Sequence, residues 1–243
     1  MKTAINLYSV RDLEEPMEAL LERVADAGYD GVEFAGGFRD ATPTAVAETL
    51  DRLNLEVAGV HVGIEDLESD FGAAYETYAE TLGAPSAVVP WLPPEAFSDT
   101  ESVASTVDRL ASLTVTADAY DWPLHYHNHD HEFRAVDGTR PIDRLLESVP
   151  GLGFEIDVGW VATAGADPVE YIDRYADRIE LVHMKDMATE SGAFREIGQG
   201  DVDMAACAEA AESAGAEWLI YEHDEPEDPA ASIETGSGFL ETL

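Results

Sequence analysis

Apolar positions along the chain follow two alternating rhythms. Short runs rich in β-branched and aromatic residues are each followed by a longer stretch with helical spacing. TAINLYSV (3–10) precedes PMEALLERVADAG (16–28), GVEFA (31–35) precedes TPTAVAETLDRLN (42–54), and EVAGVHV (56–62) precedes FGAAYETYAETLG (71–83). SAVVPWL then precedes ESVASTVDRLASLTVTADAY, PLHYHNH precedes PIDRLLESV, and GFEIDVGW precedes DPVEYIDRYAD. IELVHMK precedes VDMAACAEAAESAG, and EWLIYEH precedes a weaker segment ending SGFLETL. Local signals agree: Pro16 suits a first helical turn, Gly28 a helix stop, and Thr42 before Pro43 an N-cap.

Strands alternating with helices imply parallel pairing through crossover helices, and near-continuous apolar strands imply burial on both faces. Eight such units in 243 residues match an α/β fold of the (β/α)8 barrel type, a single domain over residues 1–243. An open doubly wound sheet is the alternative. It would more naturally carry a glycine-rich phosphate loop after its first strand, and none follows INLYSV.

The unusual polar residues collect at the C-terminal ends of these runs, the end where barrel active sites are built. Glu33 ends the second, His61 the third, YHNHDHEF (126–133) the fifth, Asp157 the sixth, His183 and Lys185 the seventh, and Glu222 the eighth. Strand alternation puts Leu181, His183 and Lys185 on one face, and Glu155 with Asp157 on another. Glu155, one layer deeper, requires a cationic or hydrogen-bonding partner that the sequence does not identify. Carboxylates and neutral imidazoles arriving from several strands suit a divalent metal, manganese or magnesium before zinc or cobalt. The bland readings are a core histidine at His61, a turn residue at Asp157, and solvated loop charge at Asp224, Glu225, Glu227 and Asp228.

Composition narrows the function. The 51 acidic against 13 basic residues give a net charge of -38, which repels nucleic acid and suggests a high-salt cytosol that screens the self-repulsion. The start MKTAINLYSVRD lacks the apolar core of a signal peptide and no apolar run reaches membrane-spanning length, so a cytoplasmic protein without membrane contact is expected. The lone Cys207 sits among alanines, as a small buried side chain would. A homo-oligomer is compatible with the sequence, which fixes no oligomeric state.

The blocks LYSVRD, YHNHDHEF, FEIDVGWVATAGADPVEYI, RIELVHMKD, EIGQGDVD and WLIYEHDEPEDPAASI resemble the xylose isomerase-like TIM-barrel superfamily, in its sugar phosphate isomerase/epimerase branch. The resemblance implies a metal held by Glu132, Asp157, His183 and Glu222, with His127 or His129 as the alternative strand-five ligand. It also implies enediolate chemistry on a small carbohydrate, with Glu132 and Glu222 as a carboxylate pair and Lys185 stabilising an oxyanion or protonating a leaving oxygen. His61, His127 and His129 would bind hydroxyls, Arg195 would clamp substrate, and Trp91 and Trp160 would form a stacking wall. The reaction expected is isomerisation or epimerisation of a sugar, keto-sugar or cyclitol. The alternative is dehydration of a keto-sugar or inosose; a non-catalytic sugar-binding barrel is a lesser reading, and a DNA-repair endonuclease conflicts with the charge.

Overall fold

In the computed structural model, which describes residues 1–243, eight parallel strands close into a barrel. They are β1 (Lys2–Asn6), β2 (Gly31–Ala35), β3 (Glu56–His61), β4 (Ala87–Val89), β5 (Leu124–His127), β6 (Gly153–Asp157), β7 (Leu181–Met184) and β10 (Trp218–Tyr221), the last pairing back onto β1. Between β7 and β10 the chain makes a two-stranded antiparallel hairpin, β8 (Asp186–Ala188) and β9 (Ala193–Arg195), outside the barrel.

Helices α1 (Met17–Ala27), α2 (Pro43–Leu53), α3 (Ile64–Ala74), α4 (Thr100–Tyr120), α5 (Pro141–Ser148), α6 (Val158–Thr163), α7 (Pro168–Arg174) and α8 (Met204–Ala214) supply the crossovers, and α9 (Pro229–Leu240) follows the last strand. Their ends follow local chemistry. Thr42 Oγ1 accepts from the Ala45 N–H at 3.3 Å to cap α2, and Gly28 closes α1 with φ of 101°. The third helix starts at Ile64, seven residues ahead of the expected FGAAYETYAETLG segment, and the short α6 was not anticipated.

A core of 59 residues fills the space between strands and helices. A separate group, Ala4, Ala58, Val88, Leu181, Trp218 and Ile220, lies on the strands themselves. By alternation Leu181 shares the inward face of His183, and Ile220 that of Glu222, so this apolar layer plugs the barrel beneath the polar residues. No helix is long and apolar enough to cross a membrane.

Candidate functional site

The strand ends carry their polar side chains into a cavity of about 890 Å³ at the C-terminal mouth. Its deep wall includes His61, His127, His129, Lys185, Glu222 and Asp224, and its rim includes Tyr8, Arg11, Tyr78, Trp91 and Trp160. Both tryptophans therefore stand at the cavity entrance, with Trp91 half exposed at 51%.

The polar groups form two tiers. In the lower one, Glu33 and Glu155 are fully buried and face three imidazoles. Glu155 Oε2 lies 2.8 Å from His127 Nδ1, 2.9 Å from His61 Nε2 and 3.3 Å from His183 Nε2. Glu33 Oε2 lies 2.7 Å from His183 Nε2 and accepts from Asn6 Nδ2 at 2.7 Å. These are the partners that Glu155 required. Burial alone would raise the Glu155 carboxyl, but His183, His61 and His127 hold it well below the usual carboxylate range. Burial would likewise lower His61, yet Glu33 and Glu155 push it up to about 10. Against the same burial, Glu155, Glu33 and Glu222 raise His183 well above the ordinary imidazole value.

The upper tier is built around Lys185, which is 1% exposed. Its Nζ lies 2.9 Å from Glu222 Oε2, 3.0 Å from Asp157 Oδ2 and 3.1 Å from Asp224 Oδ1. Burial would depress the ammonium, and Asp157, Glu222 and Asp224 instead raise it. Glu222, which burial would raise, is held well below its usual range by Lys185 and His183. Asp224, expected as solvated loop charge, is thus part of the site; its carboxyl is raised by burial despite Lys185. Asp157 fulfils both of its readings. Its Oδ1 caps α6 by accepting from the Trp160 N–H at 2.9 Å, while Oδ2, buried and without a hydrogen bond, faces Lys185.

Two expected residues are not brought to this cluster. Glu132 is buried on a short 3-10 turn past β5, where Oε1 accepts from the Tyr126 hydroxyl at 2.7 Å and Oε2 from the His129 N–H at 2.9 Å. Both oxygens are committed, burial raises its carboxyl, and it does not line the cavity. His127, the alternative left open on strand five, stands with Asp157, His183 and Glu222 instead. Arg195 projects from β9 into solvent and donates to the Phe194 carbonyl at 3.0 Å, away from the cavity. His129 does line the cavity, with a buried, unpaired Nδ1 and a proton affinity lowered by burial, His127 and Lys185. Tyr8 and Arg11 lie in the LYSVRD block but were not singled out within it, and Tyr78 carried no sequence signal, since tyrosines on helices are common everywhere.

The donor atoms of His127, Asp157, His183 and Glu222 all lie within 4.8 Å of one another. Two imidazoles and two carboxylates form a donor set suited to a divalent ion. The upper tier also has three carboxylates against one ammonium, leaving a charge of about -2 that such an ion would balance. The residues fit a metal.

Comparisons with known proteins agree with this architecture. A family model described as xylose isomerase-like TIM barrel matches residues 21–243. An inosose dehydratase of Geobacillus kaustophilus is 29% identical over 198 residues, covering 70% of this chain and 62% of that protein, so the chain spans under two thirds of that relative. A sugar phosphate isomerase/epimerase structure from Parabacteroides distasonis superposes with a TM-score of 0.86 at 21% identity, over 100% of this chain and 94% of the other. The IOLI protein, solved with a bound zinc atom, superposes with a TM-score of 0.77 at 18% identity over 99% and 96% of the two chains. With the closed eight-stranded barrel and a family match over most of its length, the chain belongs to the xylose isomerase-like TIM-barrel family.

Proposed function

We propose that the chain is a metal-dependent lyase acting on an unphosphorylated polyhydroxy ketone, a keto-cyclitol or keto-sugar. It would remove the proton beside the carbonyl and expel the β-hydroxyl as water. The observation that carries this reading is the pair Glu222 and Lys185, 2.9 Å apart at the cavity wall. Glu222 Oε2 is taken by His183 and Lys185, which leaves Oε1 to receive a proton from substrate. Lys185 would deliver one to the leaving oxygen once substrate displaces a carboxylate from it. A base and an acid so close together serve one face of the substrate, so syn elimination is the expected stereochemistry.

His127, Asp157, His183 and Glu222 would hold the cation, and two imidazoles in the set suit manganese, zinc or cobalt better than magnesium. When bound, that ion would supply Lewis acidity to the carbonyl oxygen. His129 Nδ1 would hydrogen-bond a ring hydroxyl, and Trp91 and Trp160 would offer apolar faces to the ring. A phosphorylated substrate fits less well. Lys185 is saturated by carboxylates, and Arg11 at the rim, stacked 3.9 Å from the Tyr8 ring, is the one other lysine or arginine lining the cavity.

Epimerisation is the second reading, favoured by the unpaired His129 Nδ1, which could return a proton from another direction. Incubation of the metal-loaded protein with inososes and keto-sugars in D2O, read by product mass and NMR, separates the two. Loss of water supports the lyase; an epimer of the same carbon skeleton carrying one deuterium supports the epimerase. Absence of any turnover, with substrate bound, would refute both.

A further inference from the structure

We infer that Glu33 and Glu155 are positioning residues that orient His127 and His183 and thereby set the affinity of the proposed metal site; the inference rests on that site. Each imidazole presents one nitrogen upward and one downward. His127 Nε2 lies 3.8 Å from Asp157 Oδ2, whereas Nδ1 meets Glu155 Oε2 at 2.8 Å. His183 Nδ1 meets Glu222 Oε2 at 2.8 Å, whereas Nε2 meets Glu33 Oε2 at 2.7 Å. When a cation binds, a carboxylate beneath each ring would take the N–H and leave the lone pair on the nitrogen facing the metal donors. Anionic partners of metal-bound histidines fix the ring in this way.

The fold holds both glutamates in place for this. The pairing of β2 with β3 shifts register between Val32 and Glu33, an irregularity of the kind that re-aims a side chain. Gly59 opposite makes the room: a Cβ there would come within 2.9 Å of Glu33 Oε1. Asn6 fixes the other oxygen. Its Oδ1 accepts from the Tyr8 N–H at 2.7 Å, which turns its Nδ2 toward Glu33. His61 Nε2 spans the pair, 2.9 Å from Glu155 and 3.3 Å from Glu33, so neither carboxylate is free to swing up into the cavity.

The test is cation affinity and stoichiometry for Mn2+ and Zn2+ by chelator competition, on the full chain and on Glu33→Gln, Glu155→Gln and Asp157→Ala. Histidine 15N shifts of the metal-free proteins report the tautomers directly, a readout that general destabilisation does not move. The expected result is one ion per chain, bound about 10- to 100-fold more weakly by each Gln variant, with the His127 tautomer altered in Glu155→Gln. Wild-type affinity in both Gln variants, with binding lost in Asp157→Ala, overturns the inference and leaves the metal site standing. Two ions per chain, one lost in Glu155→Gln, also overturns it, because His61, His127, Glu155 and His183 would then be ligands themselves. Unchanged binding in Asp157→Ala removes the site and the inference together.

Discussion

Replacing Lys185 by methionine should destabilise the metal-free protein sharply while strengthening its hold on a divalent cation. The side chain is 1% exposed, and its ammonium touches carboxylates of Asp157, Glu222 and Asp224 at 3.0, 2.9 and 3.1 Å. Methionine fills nearly the same volume, so the loss is electrostatic: three acids at a buried site lose their one close ammonium. Breaking a buried pair by removing one partner costs about 3–5 kcal/mol. At roughly 2–4 °C per kcal/mol for a chain of this size, the melting temperature in EDTA should fall by on the order of 10 °C. A bound cation would replace the missing charge, so saturating Mn2+ should restore more stability to the variant than to the parent. Urea unfolding with and without metal measures both effects. Equal stability of parent and variant in EDTA would refute the charge accounting, and an equal gain on adding metal would refute competition between Lys185 and the ion.

Three further outcomes follow from the same geometry. Metal binding at neutral pH should release a proton, because His183 is raised well above 6.5 and must lose one to coordinate; calorimetry in buffers of different ionisation enthalpy reads it. In the metal-free protein, His61 has a folded-state value raised from 6.5 to about 10, so its contribution is complete below 6.5 and is lost as pH rises toward 10; urea midpoints in EDTA should fall across that interval. Stability should rise from about 0.1 M to molar KCl as screening shortens from about 10 Å to about 3 Å over a net charge of -38, and melting temperatures that stay flat would remove the high-salt expectation.

Residues whose role follows from strand alternation were legible in the sequence. His183 with Lys185, and Glu155 with Asp157, point inward together because successive side chains alternate, and Glu222 needed only its place at a strand end. Residues whose role depends on a partner far along the chain were not. Asp224 sits in the acidic run EHDEPEDP and reads as surface charge until β7 brings the Lys185 ammonium against it. Glu132 has suitable spacing after β5, but a 3-10 turn folds it back onto the Tyr126 hydroxyl. Arg195 was drawn away by the β8–β9 hairpin, whose anchor is the buried Asp186 accepting from the Gly198 and Gly200 N–H groups at 2.9 and 2.8 Å.

The two tiers explain why a cation belongs at the upper level of this site. Below, Glu33 and Glu155 face three imidazoles that can take up protons, and the raised His61 and His183 show that the protein itself balances those charges. Above, Asp157, Glu222 and Asp224 share one ammonium, and the buried Asp157 Oδ2 has no hydrogen bond. Buried carboxylates are costly unless compensated, so the unbalanced tier is the one that gains most from a bound cation. Its Lys185, Glu222 and Asp224 line the cavity, whereas the carboxylates Glu33 and Glu155 beneath do not. Beneath both, the apolar layer of Ala4, Ala58, Val88, Leu181, Trp218 and Ile220 closes the barrel. The electrostatic deficit is thereby confined to the mouth, where an incoming ketone would meet it.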